Sequence, residues 1–188
     1  MKKLLILSLL LISISSYSKH VIIDIQPLGN LTKLEAEQIS SILEEKLYTL
    51  LNLEAEIYIL PNQSLKKEYL NSEKTRYRAD KIINSFKKSD TYTIILLHKD
   101  ISIPYRNHKD WGILGLNLQP GKVCIASDFR LSNKKDFWKV VLHEFIHSYY
   151  NYKHCPNDNT NCIMKDAKGK AYFSNKNSLC KECILKLK

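Results

Sequence analysis

The stretch HEFIHSYYNYKHC, residues 143–155, decides how the rest of the chain is read. On an α-helix, residues four apart share a face, so His143 and His147 can aim two imidazole nitrogens at one point with Glu144 beside it. That order, HExxH, is the helical half of a zinc site. The histidines bind the ion, and the glutamate takes a proton from the water that the ion activates. The same carboxyl can return the proton to a leaving amine. A pair of satisfied helix histidines is the plainer reading, and the residues that follow weigh against it. His154 comes three residues after Asn151, and asparagine is the commonest non-glycine residue to accept the left-handed conformation that ends a helix and turns the chain back. Measured against the spacing HExxHxxGxxH, Tyr150 stands in the place of the glycine and the turn starts one residue late. Its starting angle therefore moves by about 100°. A small bulge or a tighter last helical turn is the expected way to absorb that change.

Four cysteines follow or adjoin the motif. Cys155 is next to His154, Cys162 lies further on, and Cys180 and Cys183 form a C-x-x-C. A C-x-x-C brackets a tight turn that points two sulfurs at one ion, so two such close pairs suit a tetrahedral thiolate zinc site. Export from the cell would favour two disulfides instead. The remaining cysteine, Cys124 in KVCIAS, reads as a buried strand thiol.

The first eighteen residues differ from the rest. Lys2 and Lys3 precede the apolar run LLILSLLLISI, and the small-x-small site SYS ends at Ser18. This is the pattern of a cleavable secretory signal peptide, 1–18, too short in its apolar part to cross a core of about 30 Å as a helix. The expectation is an exported protein, periplasmic or secreted, with no membrane span after cleavage and one mature domain, 19–188. The chain of 188 residues carries 29 basic and 19 acidic side chains, a formal charge of +10 that falls to +8 without Lys2 and Lys3. The lysines are scattered, so the charge reads as a solvated basic surface, and no nucleic-acid partner is expected.

Hydrophobic periodicity supplies the elements. HVIIDIQ (20–26) reads as a first strand, and Thr32 with Glu35 as a capping box that opens a helix with the stripe Leu34, Ile39, Ile42, Leu43, Leu47 and Leu50. AEIYIL (55–60) reads as a strand. SEKTRYRADKIINSFKK (72–88) reads as a second helix, with Tyr77, Ala79, Ile82, Ile83 and Phe86 on its apolar face. YTIILLH (92–98) is unbroken in its apolar character, which suits the centre of a sheet. Residues 99–111 read as a polar loop, GILGLNL and KVCIAS as a hairpin, and a long helix starts near Lys134 and runs through the quoted motif. The order of elements suggests an open sheet backed by helices on at least one face, and the fold class expected, with the family resemblance given below, is α+β, a mixed twisted sheet packed against helices.

Taken together, HEFIHSYYNYKHC-x6-C-x-M-x15-C-x-x-C resembles the archaemetzincin signature, HExxHxxGxxHC-x4-C-x-M-x17-C-x-x-C, with differences only in spacers and the lost glycine. IDIQPLG, RYRADKII and GLNLQPGKVCIASDFRL resemble the same family upstream, so the likeness covers most of residues 19–188. It implies a zincin/metzincin-like fold with a long active-site helix and a zinc metalloprotease activity on a peptide or protein substrate. It also implies a catalytic zinc on His143, His147 and His154 with Glu144 as general base, and a structural zinc on Cys155, Cys162, Cys180 and Cys183, two ions per chain. Met164 would form a turn beneath the metal, packing without ligating, and GILGLNL would lie along the cleft with an edge free to pair with a peptide. Two other readings stand beside this one: another zinc hydrolase, for instance one acting on RNA, and a non-catalytic zinc-stabilised binding domain. Tyr149, Tyr150, Tyr152 and Tyr172 are candidates for an oxyanion-stabilising hydroxyl, with aromatic packing as the commoner use of such residues.

Overall fold

A computed structural model of the chain describes residues 19–87, 90–157, 161–167 and 173–187. The expected signal peptide lies outside these residues, as does Tyr172. The elements run β1 (Lys19–Pro27), α1 (Lys33–Leu51), β2 (Leu53–Ile59), β3 (Tyr77–Arg78), α2 (Ala79–Ser85), β4 (Tyr92–Leu97), β5 (Ile101–Tyr105) and β6 (His108–Ile113). They continue with β7 (Gly115–Asn117), β8 (Val123–Ser127), α3 (Phe137–Tyr150) and α4 (Lys181–Leu187). A five-stranded sheet has the order β2-β1-β4-β8-β7, with β7 alone antiparallel to its neighbour.

Strand β4 sits at the centre, as its apolar run predicts, and its two faces serve two cores. Ile94 and Leu96 join α1, α3 and the cysteine-rich segment on one side, while Ile95 and Leu97 join α2 on the other. The same alternation places Cys124 and Ala126 of β8 on the α3 side and Val123 and Ile125 on the α2 side, which is the two-residue period of a pleated strand. The α+β architecture therefore has helices against both faces of its sheet. Among the described residues no helix is long and apolar enough to cross a membrane.

Helix α1 starts where its capping box predicts. Thr32 Oγ1 accepts from the Glu35 N–H at 3.2 Å and Glu35 Oε2 accepts from the Thr32 N–H at 2.8 Å. Its fully buried face is Ala36, Leu43, Leu47 and Leu51. Leu34, expected in the stripe, is 64% exposed because it stands two residues, about 200°, round the helix from Ala36.

Three expectations are corrected. The second helix occupies only Ala79–Ser85 of residues 72–88. The side chain of Asn71 accepts from the N–H groups of Thr75 at 2.8 Å and Arg76 at 3.2 Å, and Lys74 is left-handed at φ 54°, so side-chain bonds take up the backbone donors a helix would need. The polar loop at 99–111 is instead the antiparallel hairpin β5–β6, which with β3 forms a second, three-stranded sheet. Its polar residues are partners in an ion network. Asp100 receives Arg76 at 2.8 Å and Arg130 at 2.6 Å, and Asp110 receives Arg76 at 3.0 Å. Finally, GILGLNL does not form one strand. Gly112 and Ile113 finish β6 in the small sheet, Gly115–Asn117 form β7 in the large one, and Leu114 links them while its carbonyl accepts from the Ser127 N–H at 2.7 Å.

Candidate metal centre

Helix α3 is buried along almost its whole length, including His143, Glu144, His147 and Ser148. Buried polar groups are costly unless something compensates them, so each of these needs a partner. Ser148 donates to the Gly121 carbonyl at 2.9 Å, and Gln119 donates to the His147 carbonyl at 3.3 Å, pinning the helix to the β7–β8 connection. His143 Nδ1 bonds the Ile163 carbonyl at 2.8 Å, and His147 Nδ1 bonds the Tyr152 carbonyl.

Those two carbonyls fix the imidazole tautomers, because a carbonyl can only accept and Nδ1 must therefore carry the proton. Both Nε2 atoms then present lone pairs, and they lie 3.0 Å apart. His154 joins them, its ring centroid 5.2 Å from that of His143 and 4.7 Å from that of His147. One donor atom from each of the three lies within 4.8 Å of the others. Burial pulls the pKa of His143 far down and that of His147 to about 4, and desolvation lowers solvent-facing His154 too. Three neutral imidazoles with lone pairs turned together repel one another unless a cation lies between them, so the donor set fits a divalent ion.

The turn that delivers His154 is led by Asn151, left-handed at φ 50°, ψ 32°. The extra residue lengthens α3, which stays regular through Tyr150, so neither a bulge nor a tighter last turn is used.

Cys155, Cys162, Cys180 and Cys183 form a second cluster of free thiols, also within 4.8 Å of one another. The Sγ atoms of Cys155 and Cys180 are 3.7 Å apart, as are those of Cys162 and Cys183. A disulfide requires about 2.05 Å. Four thiolates at about 2.3 Å round a tetrahedral zinc stand about 3.8 Å apart, so this donor set also fits the metal. Desolvation raises the Cys180 pKa, but the Cys183 N–H and the Asn157 amide outweigh it and bring the thiol down to about 6, whereas burial pushes the Cys155 and Cys183 thiols up, so without a cation the cluster favours one thiolate among thiols. Cys124 is apart from this cluster, buried in β8, where burial pushes its thiol well up.

A turn at residues 162–165 joins the clusters. Cys162 belongs to the thiols, the Ile163 carbonyl orients His143, and the Met164 carbonyl accepts from the Cys155 N–H at 2.7 Å. Met164 itself is fully buried.

No family model matches this sequence, and no curated protein does. Solved structures do. A crystal structure of archaemetzincin from Methanopyrus kandleri superposes with a TM-score of 0.72 at 19% identity, over 89% of this chain and 93% of that one. The archaemetzincin of Archaeoglobus fulgidus, solved in complex with malonate, gives 0.60 at 23% identity over 88% and 99%. The chain has the archaemetzincin fold. Within this fold Glu144, next to His143 on α3, rests against β7, where burial raises its pKa to about 8, the Asn117 amide opposes that rise and Asp166 adds to it.

Sequence reading names the clustered histidines and cysteines and Glu144 but does not single out Gly115 and Asn117 of β7, which touch Glu144, or the carbonyls of Tyr152 and Ile163. The sequence carried a signal for the first two only in the resemblance that places GILGLNL along the cleft, which does not single out Gly115 or Asn117. Of the tyrosines, Tyr149 packs between Tyr92 and Phe145, at 5.0 and 5.4 Å, and the Tyr152 hydroxyl points to Cys183 Sγ at 3.5 Å, toward the thiols. Burial pushes Tyr150 up to about 12.

Proposed function

We propose that the chain is a zinc-dependent metallopeptidase, with His143, His147 and His154 holding the catalytic zinc and Glu144 as general base. A second, structural zinc is held by Cys155, Cys162, Cys180 and Cys183. The observation that carries this reading is the convergence of three imidazoles, with the buried Glu144 following one of them on the same helix. When bound, zinc supplies a Lewis acid and lowers the pKa of water to about 7.

The chain's own residues do the rest. The Ile163 and Tyr152 carbonyls hold the two helix imidazoles in the tautomer that leaves Nε2 free. Glu144 takes a proton from the attacking water as its oxygen bonds the peptide carbon, and then passes that proton to the amine nitrogen as the C–N bond breaks. Burial strengthens its hold on the proton, while the charge of a bound ion works the other way. Strand β7 is at the edge of the sheet, and an extended peptide added there would lie alongside Glu144.

Residues 1–18 would direct export and leave 19–188 as one domain, a reading supported by the charge and apolarity of that segment. The test is Glu144→Gln. It should lower peptide hydrolysis by about 10²-fold or more while zinc content stays at the wild-type level. Cleavage at the wild-type rate would refute the mechanism.

A further inference from the structure

Glu144 rests against β7 through two residues that share one side of the strand. At Gly115 a Cβ would stand 2.5 Å from Glu144 Cγ and 2.6 Å from Oε1, so the glutamate lies on bare backbone that a larger residue would deny it. Two residues on, Asn117 Nδ2 donates to Glu144 Oε2 at 3.3 Å. The other end of that amide is unusual. Asn117 Oδ1 is buried and, alone among the buried side-chain polar atoms of the described residues, has no hydrogen-bond partner within the protein. A buried acceptor left without a donor calls for an explanation, and a donor that exists only part of the time is one.

We propose that Asn117 is a positioning residue that holds Glu144 in both halves of its proton cycle. The amide N–H₂ donates to the carboxylate before reaction. Once Glu144 has taken the water's proton, the amide turns about its soft terminal torsion and Oδ1 accepts from the new O–H. Asn117 gains and loses no proton; it keeps the carboxyl aimed while the proton passes from water to the leaving amine. The second half rests on the peptidase reading, whereas the hold on the carboxylate does not.

The zinc-loaded full chain and its variants Asn117→Ala and Asn117→Asp test this. Asn117→Ala should lower kcat about 10- to 100-fold with KM within about twofold and zinc content unchanged, the loss that follows removal of a hydrogen bond to a charged group. Asn117→Asp keeps the shape but offers acceptors only and sets a like charge against Glu144, so it should be at least as slow; the Asn117→Ala variant, which adds no charge, separates the hydrogen bond from that repulsion. A crystal structure of zinc-loaded Asn117→Ala should show the Glu144 carboxylate moved off Gly115. A kcat for Asn117→Asp within about twofold of wild type, or an unmoved Glu144 in that crystal, overturns the proposal. If the wild type cleaves no peptide, the peptidase reading fails alone, and the position of Glu144 in the crystal still decides the role of Asn117.

Discussion

Asn151 carries more of the site than its size suggests. It ends α3 at φ 50°, ψ 32°, a conformation that costs most non-glycine residues about 1 kcal/mol or more and that asparagine tolerates. By doing so one residue later than a glycine would in the related spacing, it lets the chain return to place His154 beside His143 and His147. Asn151→Ala should therefore lose about 1 kcal/mol of stability and hold the catalytic zinc less tightly, whereas Asn151→Gly should lose neither. Thermal melts with metal counting would check this, and an alanine variant with wild-type zinc retention would show that the turn does not depend on its leading residue. This position was legible in the sequence because a backbone preference belongs to the residue itself. The tautomers of His143 and His147 were not, since they depend on carbonyls 20 and 5 residues away in the chain.

Among the elements, the turn at residues 162–165 does the joining. It gives a thiol to one cluster, a carbonyl to His143 in the other, and a second carbonyl to the Cys155 N–H next to His154. Cys183→Ser should accordingly reduce zinc at both sites, from the two ions per chain proposed above to fewer than one. If the variant kept a full equivalent at the histidines with wild-type hydrolysis, the sites would be mechanically independent. The start of α1 and the presence of a helix through the histidine motif were readable because periodicity and caps are local, although α3 begins at Phe137, after a 3-10 turn over Lys134–Asp136. The shortened α2 was not, because Asn71 diverts the N–H groups of Thr75 and Arg76 before the helix can use them.

At the scale of the whole molecule, His98 ties the sheet to the helix layer. Its Nδ1 meets Asp128 Oδ1 at 3.0 Å, on the segment that leads from β8 to α3, and its Nε2 meets Glu35 Oε1 at 3.2 Å in the first turn of α1. Desolvation pulls the pKa of His98 down, but the two carboxylates outweigh it and the net shift is upward. A pKa raised by folding means that the folded chain holds the proton more tightly. Its contribution is complete below the unfolded value of about 6.5 and disappears as pH rises through the folded value. The melting temperature of wild type should exceed that of His98→Asn by more at pH 5.5 than at pH 8.5, because titrations common to both proteins cancel in the difference. A gap that stays constant or widens with pH would contradict the sign. By itself the sequence indicated most of the strands and helices in their chain order, the seven side chains proposed as metal donors and the residue that turns the chain between two of them, since each rests on local periodicity, spacing or backbone preference. Only the tertiary structure decided that 99–111 is a hairpin fastened by Arg76 and Arg130, that Gly115 and Asn117 seat Glu144, and that two carbonyls orient the histidines. Those facts depend on which distant groups meet, and distance along the chain does not record that.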